Sequence, residues 1–238
     1  MNLAGKKIIV IGGSSGIGLA TAQAAAAEEA AVVIASRSQE RLERARNRIH
    51  GDVQITTVDV RESASIQHLF DVVGDFDHLT TPGNEGALGR FLELDVEVAR
   101  RGFDSKFWGQ YQAVKYGAPK IREGGSIVLM AGAYSQHPEP GAVPQASINS
   151  AVEGLGRALA VELSPIRVNV VSPGLVDTPR FASLPGKQRI EMFQSAAKTL
   201  PAKRIAKAED VAQTILYLMR NPHATGNVLY IDGGLTLR

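Results

Sequence analysis

Four glycines and two serines near the N-terminus form the first stretch of this sequence that could do chemistry: Gly12-Gly13-Ser14-Ser15-Gly16-Ile17-Gly18. The segment follows a short apolar run, residues 8–11, and leads into a helix-prone stretch of small residues, 19–27. Gly12 and Gly16 allow backbone torsions or close approaches that a side chain blocks. The helix that follows offers unpaired N–H groups and the positive end of its dipole, which suits a pyrophosphate. Gly18 lets that helix pack close to the sheet. With a strand before and a helix after, the turn reads as a dinucleotide or related nucleotide site, to which Ser14, Ser15 and Ile17 also contribute.

The second candidate lies one strand later. A carboxylate holding the adenosine ribose hydroxyls belongs about 20 residues past the turn. Arg37 stands there instead, between Ser36 and Ser38. A guanidinium flanked by two hydroxyls suits a 2′-phosphate through charge-assisted, bidentate hydrogen bonds, and points to NADP(H) over NAD(H). The alternative is an exposed arginine opening a basic helix, since Arg41, Arg44, Arg46 and Arg48 follow.

Such residues need a scaffold, and the hydropathy pattern describes one. Segments 8–11, 32–35, 127–130, 168–171 and 228–231 are too short for buried helices and rich in Ile and Val, as strands covered on both faces are. Residues 54–58 and 78–80 are weaker strand candidates. Between them lie helical patterns: Ile148, Ala151, Val152, Leu155 and Leu159 give one apolar face to residues 147–163. The alternation implies an α/β chain, a Rossmann-like doubly wound parallel sheet of about seven strands with helices on both faces. No linker or repeat divides it, so residues 1–238 are expected to form a single domain.

Composition narrows the chemistry. The chain has no cysteine, which excludes disulfides, thiolate metal sites and cysteine nucleophiles. Its 26 Lys and Arg against 24 Asp and Glu are too balanced for nucleic acid or a membrane surface to be the main partner. The N-terminal apolar run is shorter than a signal-peptide core and no stretch approaches ~18 apolar residues, so the expected location is the cytoplasm. One segment stands apart: residues 180–207 carry seven basic side chains and one acid, Glu191, with Pro185 and Pro201. It reads as an irregular helical excursion, either a solvated basic face or a lid over an anionic ligand.

The glycine spacing, Gly-x-x-x-Gly-x-Gly, resembles the short-chain dehydrogenase/reductase family. Asp59-Val60 is similar to that family's adenine-contacting pair. Ser172-Pro173-Gly174-Leu175-Val176-Asp177-Thr178 resembles its Pro-Gly loop, and Ile231-Asp232-Gly233-Gly234 its last strand. The resemblance covers essentially the whole chain. It implies an NADP(H)-binding oxidoreductase acting on a small molecule, with Pro173, Gly174, Val176 and Thr178 along the nicotinamide. It also implies a homo-oligomer, dimer or tetramer, with the helices around Lys106 and residues 145–163 at a two-fold interface.

The resemblance breaks at the chemistry. Where the family has Asn-Asn-Ala-Gly, this chain reads Thr80-Thr81-Pro82-Gly83, with Thr81, Pro82 and Gly83 left to meet the cofactor. The family's catalytic Asn, Ser, Tyr and Lys correspond to Lys106, Ala131, Gln145 and Asn149. Positions 145 and 149 share a helix face, but amides neither donate nor accept a proton at accessible pH; they offer hydrogen bonds, Gln145 to a carbonyl oxygen and Asn149 to ribose hydroxyls. Losing a positioned general acid costs about 10²–10⁴ in rate. Lys106, Tyr134 and His137 are the local residues that could compensate, against the plainer readings of a surface lysine, a loop tyrosine packed on Pro138 and a solvated histidine. Trp108 is expected in the core or a subunit interface, and the histidines show no metal-ligand spacing. Two functions from different classes remain: an NADPH-dependent oxidoreductase with a non-standard proton donor, and a non-catalytic NADP(H)-responsive binding or regulatory protein. A non-redox lyase or isomerase comes third.

Overall fold

Alternate residues of the first strand, β1 (Lys7–Ile11), bury on opposite faces of the sheet. Ile8 and Val10 join one hydrophobic cluster, Ile9 and Ile11 the other. The same division runs through β2 (Ala31–Ser36), where Val32 and Ile34 face one way and Val33 and Ala35 the other. Strands this apolar on both faces can be stable only when helices cover each side. The computed structural model describes residues 2–83 and 86–238 of the chain and has that layered form.

The remaining strands of the main sheet are β3 (Val53–Thr57), β4 (Phe76–Thr80), β5 (Ile121–Met130), β6 (Arg167–Pro173) and β9 (Val228–Ile231). They pair in the order β3-β2-β1-β4-β5-β6-β9, every pair parallel. One face is covered by α1 (Gly16–Ala27), α2 (Gln39–Arg46) and α8 (Ala208–Arg220), through Leu19, Leu42 and Ile215. The other is covered by α3 (Ser63–Val73), α5 (Gly109–Gly117) and α6 (Val143–Glu162), through Phe70, Val114 and Val152. The order reverses between β1 and β4, which leaves a crevice beyond their C-terminal ends, where open parallel sheets bind ligands.

Three elements differ from the sequence reading in ways that matter. First, α6 starts at Val143, before the expected residue 147; Pro144 is tolerated in its first turn because the missing N–H has no partner there. Second, α4 (Val96–Phe103) passes into α5 through a π-helical turn, Asp104–Trp108, which carries Lys106. Third, the helical excursion expected over residues 180–207 is more regular than its prolines suggest and contains a 14-residue helix, α7 (Gly186–Thr199), none of whose residues is buried. A two-stranded parallel clasp, β7 (Val176–Asp177) with β8 (Ala206–Lys207), closes the base of that excursion. No helix among the described residues is long and apolar enough to cross a membrane.

The C-terminal end of α8 is held by a buried arginine. Arg167, first residue of β6, donates from Nη1 to the Leu218 carbonyl at 2.6 Å and from Nη2 to the Met219 carbonyl at 2.7 Å. The Ala224 carbonyl accepts from Arg167 at 3.3 Å and from Asn169 Nδ2 at 2.8 Å. The cation meets the negative end of the helix dipole and satisfies carbonyls that have no partner within the helix. Arg167→Met is expected to destabilise the fold by about 3 kcal/mol, measured by urea unfolding, because it strands those carbonyls. A loss below about 0.5 kcal/mol would contradict this account.

Candidate functional site

The glycine-rich turn lies where β1 and β4 end side by side. Gly12 has φ +93°, and its backbone lies so close to Gly83 that a Cβ on Gly12 would collide with the Gly83 Cα and N. The turn is fixed by Gly12 N donating to the Ala35 carbonyl at 2.6 Å and Gly83 N to the Ile11 carbonyl at 3.0 Å. Ser15 occupies the N-cap of α1 without a side-chain capping bond, and the first turn of the helix holds no acid. The positive helix end therefore keeps N–H groups for an anion. Thr178 abuts the turn, its Cβ and Cγ2 3.4 Å from where a Gly16 Cβ would stand. Three segments distant in sequence, 12–18, 81–83 and 173–178, thus meet at one crevice.

The adenosine end is assembled from β2 and β3. Ser36 Oγ is buried with no hydrogen-bond partner among the described residues, next to the exposed Arg37. Ser38 caps α2, accepting from the Arg41 N–H at 3.3 Å. Asp59 pairs with Arg61, Oδ2 accepting from Nη2 at 2.6 Å, and that bond holds its carboxyl below the usual range, with a smaller contribution from Arg37. Val60 packs on Gly109 at the start of α5.

Across the crevice sits a polar network that the sequence indicated only in part. Lys106 is buried, and its Nζ donates to the Ala131 carbonyl and to Asn149 Oδ1, both at 2.7 Å. Gln145 Nε2 donates to the same Asn149 oxygen at 3.0 Å, and Asn149 Nδ2 donates to the Gly132 carbonyl at 2.9 Å. The bonds fix one another: the lysine requires oxygen at Oδ1, which places the Asn149 NH₂ on Gly132 and turns the Gln145 NH₂ toward Asn149. Asn149 Oδ1 thus accepts twice and its Nδ2 gives one hydrogen to Gly132, which leaves a second amide hydrogen at the position where the sequence reading has it meeting ribose hydroxyls. Gln145 likewise gives a hydrogen to Asn149, and its Oε1 is buried without a partner among the described residues.

No carboxylate among the described residues pairs with Lys106. Burial pushes its pKa down to about 7, helped by the nearby Arg180 guanidinium. Ammonium has three hydrogens and the neutral amine two, so both hydrogen bonds persist in either state. The third hydrogen is the one that titrates. Gln145 and Asn149 frame this acid without competing for its proton.

Tyr134 lies half-buried in the turn after β5, with no hydrogen bond among the described residues. Burial raises its pKa, as does Glu139, against an opposing effect of Arg180. Trp108 is 47% exposed, packed edge-on against Phe107 and Tyr111, and so is not in the core of this chain. The sequence reading passed over Gln110, whose side chain ties the Lys106 carbonyl, both backbone groups of Met130 and the Thr81 hydroxyl together. It also passed over Glu153, a buried carboxylate accepting from Ser135, Ser172 and Tyr230. Nothing in their spacing marks either one; only the packed fold brings their partners within reach. No group of three His, Asp or Glu among the described residues is placed to hold a metal ion.

Comparison with known proteins agrees with this arrangement. The enoyl-(acyl carrier protein) reductase family model matches residues 11–236. The short-chain dehydrogenase/reductase malC of Malbranchea aurantiaca is 32% identical over 255 aligned residues, spanning 99% of this chain and 96% of that one. The 3-oxoacyl-(acyl-carrier-protein) reductase FabG of Thermotoga maritima is 30% identical, with 100% of both chains covered. A solved small-chain dehydrogenase in complex with NADPH superposes with a TM-score of 0.85 at 32% identity, covering 98% of this chain and all of that one.

The depressed lysine has a consequence for stability. Between pH of about 7 and its ordinary value of 10.5, the unfolded chain binds the Lys106 proton and the folded chain does not. Stability from this group therefore rises with pH across that window and is constant below it. The expected slope is on the order of 1 kcal/mol per pH unit. Urea unfolding at pH 7, 8 and 9 should show it in the native sequence and not in Lys106→Met; equal slopes in the two proteins would contradict the assignment.

Proposed function

The chain belongs to the short-chain dehydrogenase/reductase family, and on that footing we propose that it is an NADP(H)-dependent oxidoreductase whose proton comes from Lys106. The observation that carries this reading is the Lys106 amine: a buried acid near neutrality, hydrogen-bonded to Asn149, in the wall facing the glycine turn. The residues present fit the cofactor. The Gly12–Gly83 contact leaves a flat backbone floor, the α1 N-terminus is open to a pyrophosphate, and the orphan Ser36 hydroxyl beside Arg37 suits a 2′-phosphate. Bound there, NADPH supplies a hydride.

The protein's own part is to place a carbonyl and give it a proton. The family's Asn, Ser, Tyr and Lys positions correspond to Lys106, Ala131, Gln145 and Asn149, so neither α6 nor the end of β5 offers an acid. Lys106 reaches the same place from the π-turn. Its pKa of about 7 sits near the optimum for a general acid at neutral pH. Residues 180–207, hinged on the β7–β8 clasp, act as a lid over a small-molecule substrate. The exposed Trp108 and Tyr111 favour a homo-oligomer.

A second reading, a non-catalytic NADP(H)-responsive protein, is favoured by the closed state of Gln145 Oε1, which lies against the Gly86 backbone. Calorimetric titration and an acceptor screen decide between them. Micromolar or tighter NADPH binding is expected, at least ten-fold stronger than NADH and weakened by Arg37→Ala. Reduction rates should fall above pH of about 7 as Lys106 loses its proton, and Lys106→Met should lower kcat by about 10²–10⁴ with little change in NADPH affinity. Tight NADPH binding with no turnover across ketones, enones and quinones would favour the second reading. Absence of NADPH binding would overturn both.

A further inference from the structure

Gln110, the second residue of α5, is only 2% exposed and makes four hydrogen bonds through one amide. Its Oε1 accepts from the Thr81 hydroxyl at 2.6 Å and from the Met130 N–H at 2.8 Å. Its Nε2 donates to the Lys106 carbonyl at 2.9 Å and to the Met130 carbonyl at 3.0 Å. A primary amide has no further bonds to make. The Met130 N–H can only donate and its carbonyl only accept, so the amide has a single orientation. A carboxylate would bring no hydrogen to the two carbonyls, and an apolar chain of the same length would leave all four groups unpaired.

The strand ends explain why an amide is needed at this point. The last paired residues of β4 and β5 are Thr80 and Val128. Beyond them the chain after β4 turns away, and the Gly83 N–H goes to the Ile11 carbonyl on β1. Ala131 N still pairs with the Val171 carbonyl on β6. Successive residues of a strand bond to opposite neighbours, so the groups of Met130 face the side that β4 has left. Gln110 takes both of them, as the peptide of an adjoining strand would. The next residue, Ala131, gives its carbonyl to Lys106 Nζ.

Gln110 also holds Lys106 from its backbone end. Lys106 lies on the π-turn, in which the Gly109 N–H donates to the Asp104 carbonyl five residues back. Such turns are rare, and the bond from Gln110 to the Lys106 carbonyl ties this one to the end of β5. One amide therefore fixes the lysine backbone relative to the carbonyl that its amine reaches. We propose that Gln110 is a positioning residue, which holds the Lys106 amine in its buried seat against Ala131 and Asn149. The inference rests on the reading of Lys106 as the proton donor. Without the amide, the π-turn loses its tie to β5 and the amine moves toward water. Ala131, Asn149 and Gln145 around the amine are neutral, and the charge that acts on it is the Arg180 guanidinium. Release from burial therefore raises the lysine pKa.

The test is ¹³C NMR titration of the full chain labelled at lysine, with the Lys106 signal identified by Lys106→Met. The native midpoint is expected at about 7. In Gln110→Met it should rise by at least about one pH unit toward 10.5. Gln110→Asn keeps a shorter amide and should lie between the two. A glutamine that only adds stability would lower the thermal melt of these variants and leave the Lys106 midpoint in place. Unchanged midpoints in the folded variants would thus overturn the proposal, and Gln110→Asn carries that decision alone should Gln110→Met not fold. A native midpoint near 10.5 would instead overturn the reading of Lys106 as the acid, and this inference with it.

Discussion

The parallel contact between β1 and β4 positions everything else in the crevice. Chain order reverses there, and the two strands send their continuations to opposite faces of the sheet. A gap must open beyond strand ends arranged this way. The gap is narrow because Gly12 and Gly83 meet backbone to backbone, which only residues without a Cβ permit. A larger residue at either position would push the α1 N-terminus away from the loop that follows β4. The cofactor crevice and the packing of the strand ends are therefore one constraint.

On the far wall the dominant constraint is the opposite of close packing, a charge taken out of water. A buried lysine lacking a carboxylate is costly, and its pKa of about 7 is the measure of that cost. Two neutral oxygens, from Ala131 and Asn149, stabilise the amine in either protonation state without fixing it in the charged one. A carboxylate there would have held the proton too tightly for release near neutrality. Two amides fit because they orient the amine and carry no charge of their own. Gln110 adds rigidity beneath, tying the Lys106 carbonyl to β5.

How much of this was legible in the sequence depends on the range of the signal. The glycine turn, Arg37 and the strands rest on local rules: a backbone torsion, a spacing, an alternation of apolar residues. These could be read, and the main sheet follows from them. The Lys106–Asn149 bond depends on the π-helical turn at Asp104–Trp108. One extra residue in a helical turn rotates each later side chain by about 100°, and no residue type in that segment announces it. The helical character of residues 180–207 could be read, but not the bounds of α7: with none of its residues buried, it lacks the apolar stripe from which helix limits are read. For Trp108 the sequence offers the core or a subunit interface; the fold removes the first, leaving the ring half-exposed against Phe107 and Tyr111.

In the proposed reading, the amine has changed its anchor and kept its place. The family's lysine would stand at position 149 on α6; here that position is an asparagine, and the amine arrives at its side chain from the π-turn, 43 residues earlier in sequence. A lysine on α6 would have a tyrosine one turn before it to act through. Lys106 has no such intermediary, because Gln145 cannot relay a proton. The substrate must then approach the amine directly, and the wall near Gly86 becomes part of the proton path. The demand on the substrate is correspondingly stricter. It has to bring its own acceptor to Nζ and hold it there, which a ligand anchored at a second point does better than one that is not.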